Sequence, residues 1–202
     1  MSLKPTSLLM FTAHLAFYSA VGVAVVAAQP PDRTGTGRVL FDFDNADTSE
    51  KWRIVNDDVM GGRSSSKLTI SEDGIAKFFG ELSLENNGGF ASIRSRPTKL
   101  DLKLDQKIAL RVRGDGRRYN FNLYVPRRQT AFSYQAEFET SQGEWIQIDL
   151  PLSEFVATSF GRRVEGDTLD PSQVEAIGVL LSDKLAGRFE LLIDWVRIDN
   201  AE

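Results

Sequence analysis

The sequence predicts an all-β protein, folded as an antiparallel β-sandwich or jelly roll. In most hydrophobic segments apolar residues recur at every second position, which is the period of a strand with one buried and one solvated face. Turn-forming Gly, Asn and Asp separate these segments at short intervals, and helical patterns are scarce. Roughly ten short strands punctuated in this way are typical of a sandwich.

The alternating segments place the strands in order along the chain. Alternation is expected to form strands at residues 39–43, 67–71, 110–113, 118–125 and 145–150. Short helical turns are expected at 153–155 and 171–174, the second capped by Asp170 with Pro171 at its first position. The segments 177–181 and 189–198 are apolar almost throughout, which favours central strands.

The N-terminal segment resembles a targeting sequence. Residues 1–28 carry Lys4, then an apolar stretch, and end in small residues, which is typical of a secretory signal peptide. An uncleaved membrane anchor is the alternative, because the stretch approaches the roughly 20 residues that span a bilayer. Residues 29–37 are interpreted as a linker and 38–200 as one domain. We expect an exported protein: periplasmic, secreted, or anchored on the non-cytosolic side through this segment alone.

The amino-acid composition argues against several classes of function. The chain has 24 Lys plus Arg against 28 Asp plus Glu, without long runs of one sign, which argues against nucleic-acid binding. It contains no cysteine, and its single histidine is His14, inside the predicted leader. Nucleophilic catalysis and zinc, copper or iron–sulfur sites mostly need one of these side chains. We therefore expect no cofactor and assign neither catalytic residues nor a metal site.

The segment 52–66 is the first candidate site, because its paired glycines allow close backbone approach and its polar side chains can bond a ligand. The interpretation of these side chains as satisfying backbone groups in an ordered loop stays open, as does a calcium site with oxygen ligands. The candidate binding residues here are Asn56, Asp57, Asp58 and Ser64.

A second candidate site is the polar face that strand alternation predicts. If the strands are neighbours, amides, guanidinium groups and a carboxylate would line one sheet face beside Tyr124 and Trp145, as suits a sugar or a protein surface. The alternative is a solvated face on which Arg111 or Arg113 pairs with Glu137. This face comprises Ser92, Arg94, Arg111, Arg113, Asn120, Asn122, Gln135, Glu137 and Gln147, and the residues selected as binding candidates are Arg94, Arg111, Arg113, Asn122, Glu137 and Trp145.

Carboxylates suggest two further hypotheses. Acidic residues near the chain ends could hold structural calcium or protect sheet edges from pairing with another chain; they are Asp42, Asp44, Asp47, Asp194 and Asp199. A glycosidase would need two carboxylates about 5 to 10 Å apart. Its candidates are Asp57, Asp58, Glu81, Glu85, Glu137 and Glu139, and nothing in the sequence selects a pair.

An ordered series of motifs resembles a known family. The series begins with Asn-Asp-Asp-Val-Met-Gly-Gly at 56–62 and continues with the segments at 79–94 and 110–119, where Gly-Asp-Gly-Arg occupies 114–117. Shorter matches follow at 143–155, 177–179 and 187–189. Together they resemble the complex I intermediate-associated protein 30 (CIA30) family over about residues 38–200.

This resemblance implies a galactose-binding-like β-sandwich, a fold that many carbohydrate-binding modules share. The mitochondrial member of the family assists assembly of respiratory complex I as a non-enzymatic, chaperone-like factor, and the family offers no catalytic residues to transfer. We therefore expect a non-enzyme that binds a protein partner, such as a membrane-associated intermediate of a respiratory complex. The alternatives are an exported carbohydrate-binding module with a glycan as its partner and, third, a carboxylate-based hydrolase.

Overall fold

A computed structural model describes residues 37–126 and 131–201, except for the side chains of Ala46 and Asp47. The predicted leader, and the predicted linker apart from its last residue, lie outside these ranges. Among the described residues, no helix is long and apolar enough to cross a membrane.

The described residues form thirteen strands and five short 3-10 helices, with no α-helix among them. The all-β prediction is therefore confirmed. The strands are β1 (Arg38–Phe41), β2 (Trp52–Asn56), β3 (Ser65–Ile70), β4 (Ala76–Leu82), β5 (Ala91–Ser95), β6 (Gln106–Arg113), β7 (Arg118–Tyr124), β8 (Phe132–Glu139), β9 (Trp145–Pro151), β10 (Val156–Ser159), β11 (Arg162–Arg163), β12 (Ala176–Leu181) and β13 (Gly187–Asn200). The 3-10 helices are Ala46–Lys51, Asp57–Met60, Glu85–Asn87, Leu152–Glu154 and Pro171–Gln173.

The strands form two antiparallel sheets. Sheet A has the order β3-β4-β13-β6-β9, and β1 also pairs with β13. Sheet B has the order β11-β10-β8-β7-β12-β5-β2. The first and last described strands are therefore neighbours, as expected for a sandwich.

The core lies between the sheets and follows the predicted alternation. In β7, Tyr119, Phe121 and Leu123 are fully buried on the inner face of sheet B. In β6, Ile108 and Leu110 are equally buried on the inner face of sheet A. Because successive side chains in a strand point to opposite faces, the residues between them lie on the outer faces, where candidate binding groups are found.

Two local predictions are also confirmed. The side chain of Asp170 accepts a hydrogen bond from the backbone N–H of Ser172, and Pro171 occupies the first position of that 3-10 turn. The apolar segment 189–198 lies within β13, which pairs with β4 on one edge and β6 on the other. The register of β13 against β6 shifts between Ile193 and Trp195, so that Asp194 is the extra residue of a β-bulge.

Candidate functional site

The carboxylate of Asp57 joins two loops at one end of the sandwich. Asp57 is fully buried and accepts hydrogen bonds from the backbone N–H of Ser64 at 2.8 Å and from its hydroxyl at 2.5 Å. The backbone N–H groups of Gly89 and Phe90 donate to the same carboxylate at 2.6 and 3.3 Å. Burial by itself raises the pKa of Asp57, but the hydrogen bonds from Ser64, Gly89 and Phe90 outweigh burial and hold this pKa below its ordinary value.

The glycines of this loop are required by the same carboxylate. A Cβ at Gly62 would lie 2.3 Å from Cγ of Asp57, and one at Gly88 would lie 2.6 Å from its Oδ2. Asn56 is also engaged, because its Oδ1 accepts a hydrogen bond from the hydroxyl of Ser66 at 2.7 Å. Of the candidates in the segment 52–66, Asp58 alone has an exposed side chain. The geometry therefore corresponds to the ordered-loop interpretation of this segment.

The Gly-Asp-Gly-Arg segment organises the turn between β6 and β7. Asp115 accepts hydrogen bonds from the hydroxyl of Tyr119 at 3.1 Å and the backbone N–H of Glu190 at 2.9 Å. Arg117 donates two hydrogen bonds to Asp183, at 2.9 and 2.6 Å. Burial and the charge of Asp115 raise the pKa of Tyr119 far above its usual range. Sequence reasoning did not select Asp183, because it lies 66 residues from Arg117 without a motif of its own.

The predicted polar face divides between the two sheets. Arg111, Arg113, Trp145 and Gln147 lie on β6 and β9 of sheet A. The other members lie on β5, β7 and β8 of sheet B; they are Ser92, Arg94, Asn120, Asn122, Gln135 and Glu137. The two groups point away from each other, because each set lies on the outer face of its own sheet.

On sheet A, the arginines are engaged by other groups of the protein. Arg111 forms an ion pair with Asp194 at 2.6 Å, and Asp194 is fully buried in the bulge of β13. The guanidinium carbons of Arg111 and Arg113 lie 4.8 and 5.3 Å from the ring centroid of Trp145. The alternative pairing of Arg111 or Arg113 with Glu137 is not formed. Glu137 lies on the opposite sheet and instead pairs with Arg118 at 3.3 Å.

On sheet B, Tyr124 and Arg94 form a stacked pair at the centre of the outer face. A Cβ at Gly178 would lie 3.1 Å from Cε2 of Tyr124, so the ring occupies the space beside this glycine. The guanidinium carbon of Arg94 lies 3.6 Å from the ring centroid. The amide of Asn122 donates to the hydroxyl of Tyr124 at 3.0 Å. Among the described residues, Nε of Arg94 and Oδ1 of Asn122 are buried without a hydrogen-bond partner.

Arg53 was not among the candidates selected from the sequence. Arg53 lies on β2 directly opposite Arg94 on β5, and both residues lie on the outer face, since their neighbours Trp52 and Ile93 are in the core. Alternation alone places each arginine outward. The pairing could not be inferred from the sequence, because 40 intervening residues separate the two positions without fixing the register between their strands.

Several candidate carboxylates of the described residues are exposed or already paired within the protein. No group of three or more His, Cys, Asp or Glu residues that could hold a metal is found in the part of the chain that is described. Asp42 and Asp44 are exposed, whereas Asp194 forms an ion pair with Arg111. Of the hydrolase candidates, Asp57 is enclosed by four donors and Glu85 forms an ion pair with Arg63 at 2.8 Å.

Known structures place the fold in the class of carbohydrate-binding-module β-sandwiches. The protein is similar to a family 11 carbohydrate-binding module from Clostridium thermocellum, solved in complex with a β-1,3-1,4-mixed-linked tetrasaccharide. The TM-score is 0.60 at 15% identity, over 81% of this chain and 95% of that one. An agarase gives a TM-score of 0.57 at 12% identity, over 82% of this chain and 26% of the agarase. At these identities the likeness concerns the fold alone.

Within this class, the chain belongs to the complex I intermediate-associated protein 30 (CIA30) family, whose sequence profile matches residues 41–193. The mouse (Mus musculus) protein "Complex I intermediate-associated protein 30, mitochondrial" is 30% identical over 80% of this chain and 56% of its own length. The Drosophila melanogaster protein of the same name is 26% identical over 83% of this chain and 64% of its own length. The chain thus spans about half to two thirds of these relatives.

These relatives correct the predicted localisation. Export is wrong for this family, because the matched mouse, fly and nematode proteins are all named mitochondrial. The export prediction depended on the composition of residues 1–28, which have one basic residue, an apolar stretch and small residues at the end. An apolar segment with one basic residue favours a membrane environment over water. This property does not show to which membrane system the protein is directed.

Proposed function

We propose that this protein is a non-enzymatic binding domain that assists assembly of respiratory complex I by binding a protein partner in an assembly intermediate. The observation that carries the proposal is the family match along residues 41–193, which includes the motifs that build both structural loops. The matched relatives are named for association with a complex I intermediate. Binding to that intermediate is the activity we infer for this chain.

The chemistry of the described side chains supports binding rather than catalysis. No cysteine occurs in the chain and its histidine precedes the domain, so acid–base work would fall to carboxylates, Lys or Tyr. Asp57 is the most buried of the hydrolase candidates, and its two oxygens already accept four hydrogen bonds. A carboxylate that is ionised and enclosed by donors is a poor general base. Asp57 therefore serves as a structural anchor.

Carbohydrate binding has less support than protein binding. Sugar recognition on a sheet face uses an open aromatic ring for apolar contact. Tyr124 is 7% exposed and one face of its ring is covered by Arg94. Trp145 lies on the other sheet between two arginines. The aromatic rings and the side-chain amides of Asn122 and Gln135 are thus not arranged as one open glycan platform.

Capture of the natural complex tests the proposal. The tagged full chain, crosslinked in its own cells and recovered from membranes, is expected to enrich subunits of a partly assembled complex I. A tagged family 11 carbohydrate-binding module, which shares the fold but not the family, is the matched control. Deletion of the protein should also reduce mature complex I on native gels. Recovery of the same proteins by both baits, together with normal complex I after deletion, would contradict the proposed function.

A further inference from the structure

We propose that the outer face of sheet B, where β2 meets β5, binds a carboxylate, and that its occupant is an acidic segment of the protein partner. The site is formed by Arg53 and Arg94. This inference depends on the proposed function for the nature of the partner, and it adds the surface and the chemistry through which that partner is recognised.

The two arginines face each other across the strand pair, and no carboxylate of the described residues forms an ion pair with either. Arg53 and Arg94 are directly opposite in the antiparallel pairing of β2 with β5, which brings their Cβ atoms to about 4.5–5.5 Å. Like charges in this position destabilise a sheet. A bound anion would relieve this repulsion.

Arg94 is held in place before any partner binds. Its guanidinium group stacks on Tyr124 at 3.6 Å, and the ring is fixed beside Gly178 and by the hydrogen bond from Asn122. Because the side chain is already ordered, binding costs little further conformational entropy. A planar guanidinium fork matches a carboxylate better than an ammonium group does.

The surrounding face favours a short acidic segment over an extended anionic surface. Gln135, Asn122, Gly178, Arg94 and Arg53 form one row across five strands, which spans about 19 Å at the usual strand spacing. About six extended residues cover this distance. Arginines lie at one end of the row and the neutral amides of Asn122 and Gln135 at the other.

Carboxylates elsewhere on the same face exclude a uniformly negative partner. Glu137 and Glu139 lie on β8 and are exposed. They would repel a membrane surface of anionic lipids laid across the whole sheet. A segment with acidic side chains over Arg53 and Arg94, and backbone amides over Asn122, avoids this repulsion.

Binding of a hexaglutamate peptide to the folded full chain tests the site. Labelled hexaglutamate is titrated and followed by fluorescence anisotropy, with hexaglutamine as the uncharged control. We expect saturable binding of hexaglutamate alone, weakened about tenfold in each of R53Q and R94Q, since each removes one charged hydrogen bond. R118Q is the matched control: it removes an outward arginine of the same sheet that is already paired with Glu137, and it should bind as tightly as wild type.

The outcomes separate this inference from the proposed function. Equal binding by wild type, R53Q and R118Q overturns the site, and so does binding of inorganic phosphate without binding of hexaglutamate. Arg53 is exposed, so R53Q keeps the test valid if R94Q unfolds. Undiminished capture of the complex I intermediate by R53Q would refute the site and leave the proposed function standing. If hexaglutamate binding depends on Arg53 but no assembly intermediate is captured, the site is supported and the proposed function is refuted.

Discussion

At the scale of single residues, Asp57 shows best how the structure adds to what the sequence indicates. Asp57 appears in the sequence as a candidate ligand in a polar loop, because exposed Asp, Asn and Ser commonly bind ligands. The structure buries it completely. Composition could identify the loop but not the direction of its side chains, since the donors come from as far away as Phe90. The neighbouring Asp58 is exposed, and the sequence offers no means to tell the two apart.

Substitution of Asp57 by Asn is expected to lower the free energy of unfolding by about 3 kcal/mol, because a neutral amide cannot accept all four hydrogen bonds and leaves buried donors unpaired. Chemical denaturation measures this change. The matched control is Asp58→Asn, next in the chain and exposed, for which we expect a change within about 0.5 kcal/mol. Equal effects of the two substitutions would refute the anchoring role of Asp57.

The stability that Asp57 provides should depend on pH. The pKa of Asp57 is lowered in the folded state, so the unfolded chain binds the proton more readily and acid favours unfolding. The contribution is complete above the unfolded value of about 3.9 and is lost as the pH falls through the lower folded value. Denaturation of wild type and Asp57→Asn at pH 6 and at successive values below pH 4 should show the gap narrowing; a constant gap would disprove the linkage.

At the scale of elements, the turn between β6 and β7 depends on a contact that the sequence conceals. The strands β6 and β7 and the Gly-Asp-Gly turn between them could be predicted from the sequence. Both the alternation of apolar residues and the composition of a turn are properties of a short segment. The partner of Arg117 could not be identified in this way, since Asp183 lies 66 residues away, between β12 and β13. The same reason explains why the predicted polar face was divided: alternation gives the inward or outward direction of Arg94 and Arg111, but not the sheet to which each belongs.

Arg117→Lys is expected to lower the melting temperature by several degrees, which corresponds to about 1–2 kcal/mol. A lysine keeps the charge but cannot make the two parallel hydrogen bonds to Asp183. Arg118→Lys is the matched control, because Arg118 is exposed and makes a single long contact with Glu137, and surface pairs contribute little. Thermal unfolding followed by circular dichroism compares them. An equal shift for both would mean that the charge, rather than the paired geometry, stabilises the turn.

At the scale of the whole molecule, the fold class was predictable from the sequence, whereas the strand order and the proposed binding surface were not. Two sheets follow from an alternating pattern with frequent turns, because that pattern can bury its apolar faces only against another sheet. The family resemblance added the same conclusion. Strand order depends on pairings between distant segments, such as β1 with β13 and β2 with β5, for which no local signal exists. The arginine pair on sheet B is a product of that order.

The domain prediction leads to a test on fragments. A fragment of residues 33–202 should unfold in one cooperative transition, because the described core is enclosed between its own two sheets. A matched fragment of residues 45–202 lacks β1 together with Phe41 and Phe43, whose rings lie 4.8 and 5.9 Å from Trp52. Its loss of these buried aromatics should abolish or greatly weaken the transition. Urea titration measures both; a first fragment without a cooperative transition would refute the boundary at residue 38.

The anchoring of Asp57 also has a consequence for the order of folding events. Its donors belong to the loop before β3 and the loop before β5, and these strands lie in different sheets. We expect the full set of four hydrogen bonds to be complete only when both sheets are in place, because the bonds from Ser64 and from Gly89 reach Asp57 from strands of different sheets. Contacts that form after the rate-limiting barrier slow escape from the native state without accelerating arrival. We therefore expect Asp57→Asn to raise the unfolding rate while leaving the refolding rate of the chain unchanged.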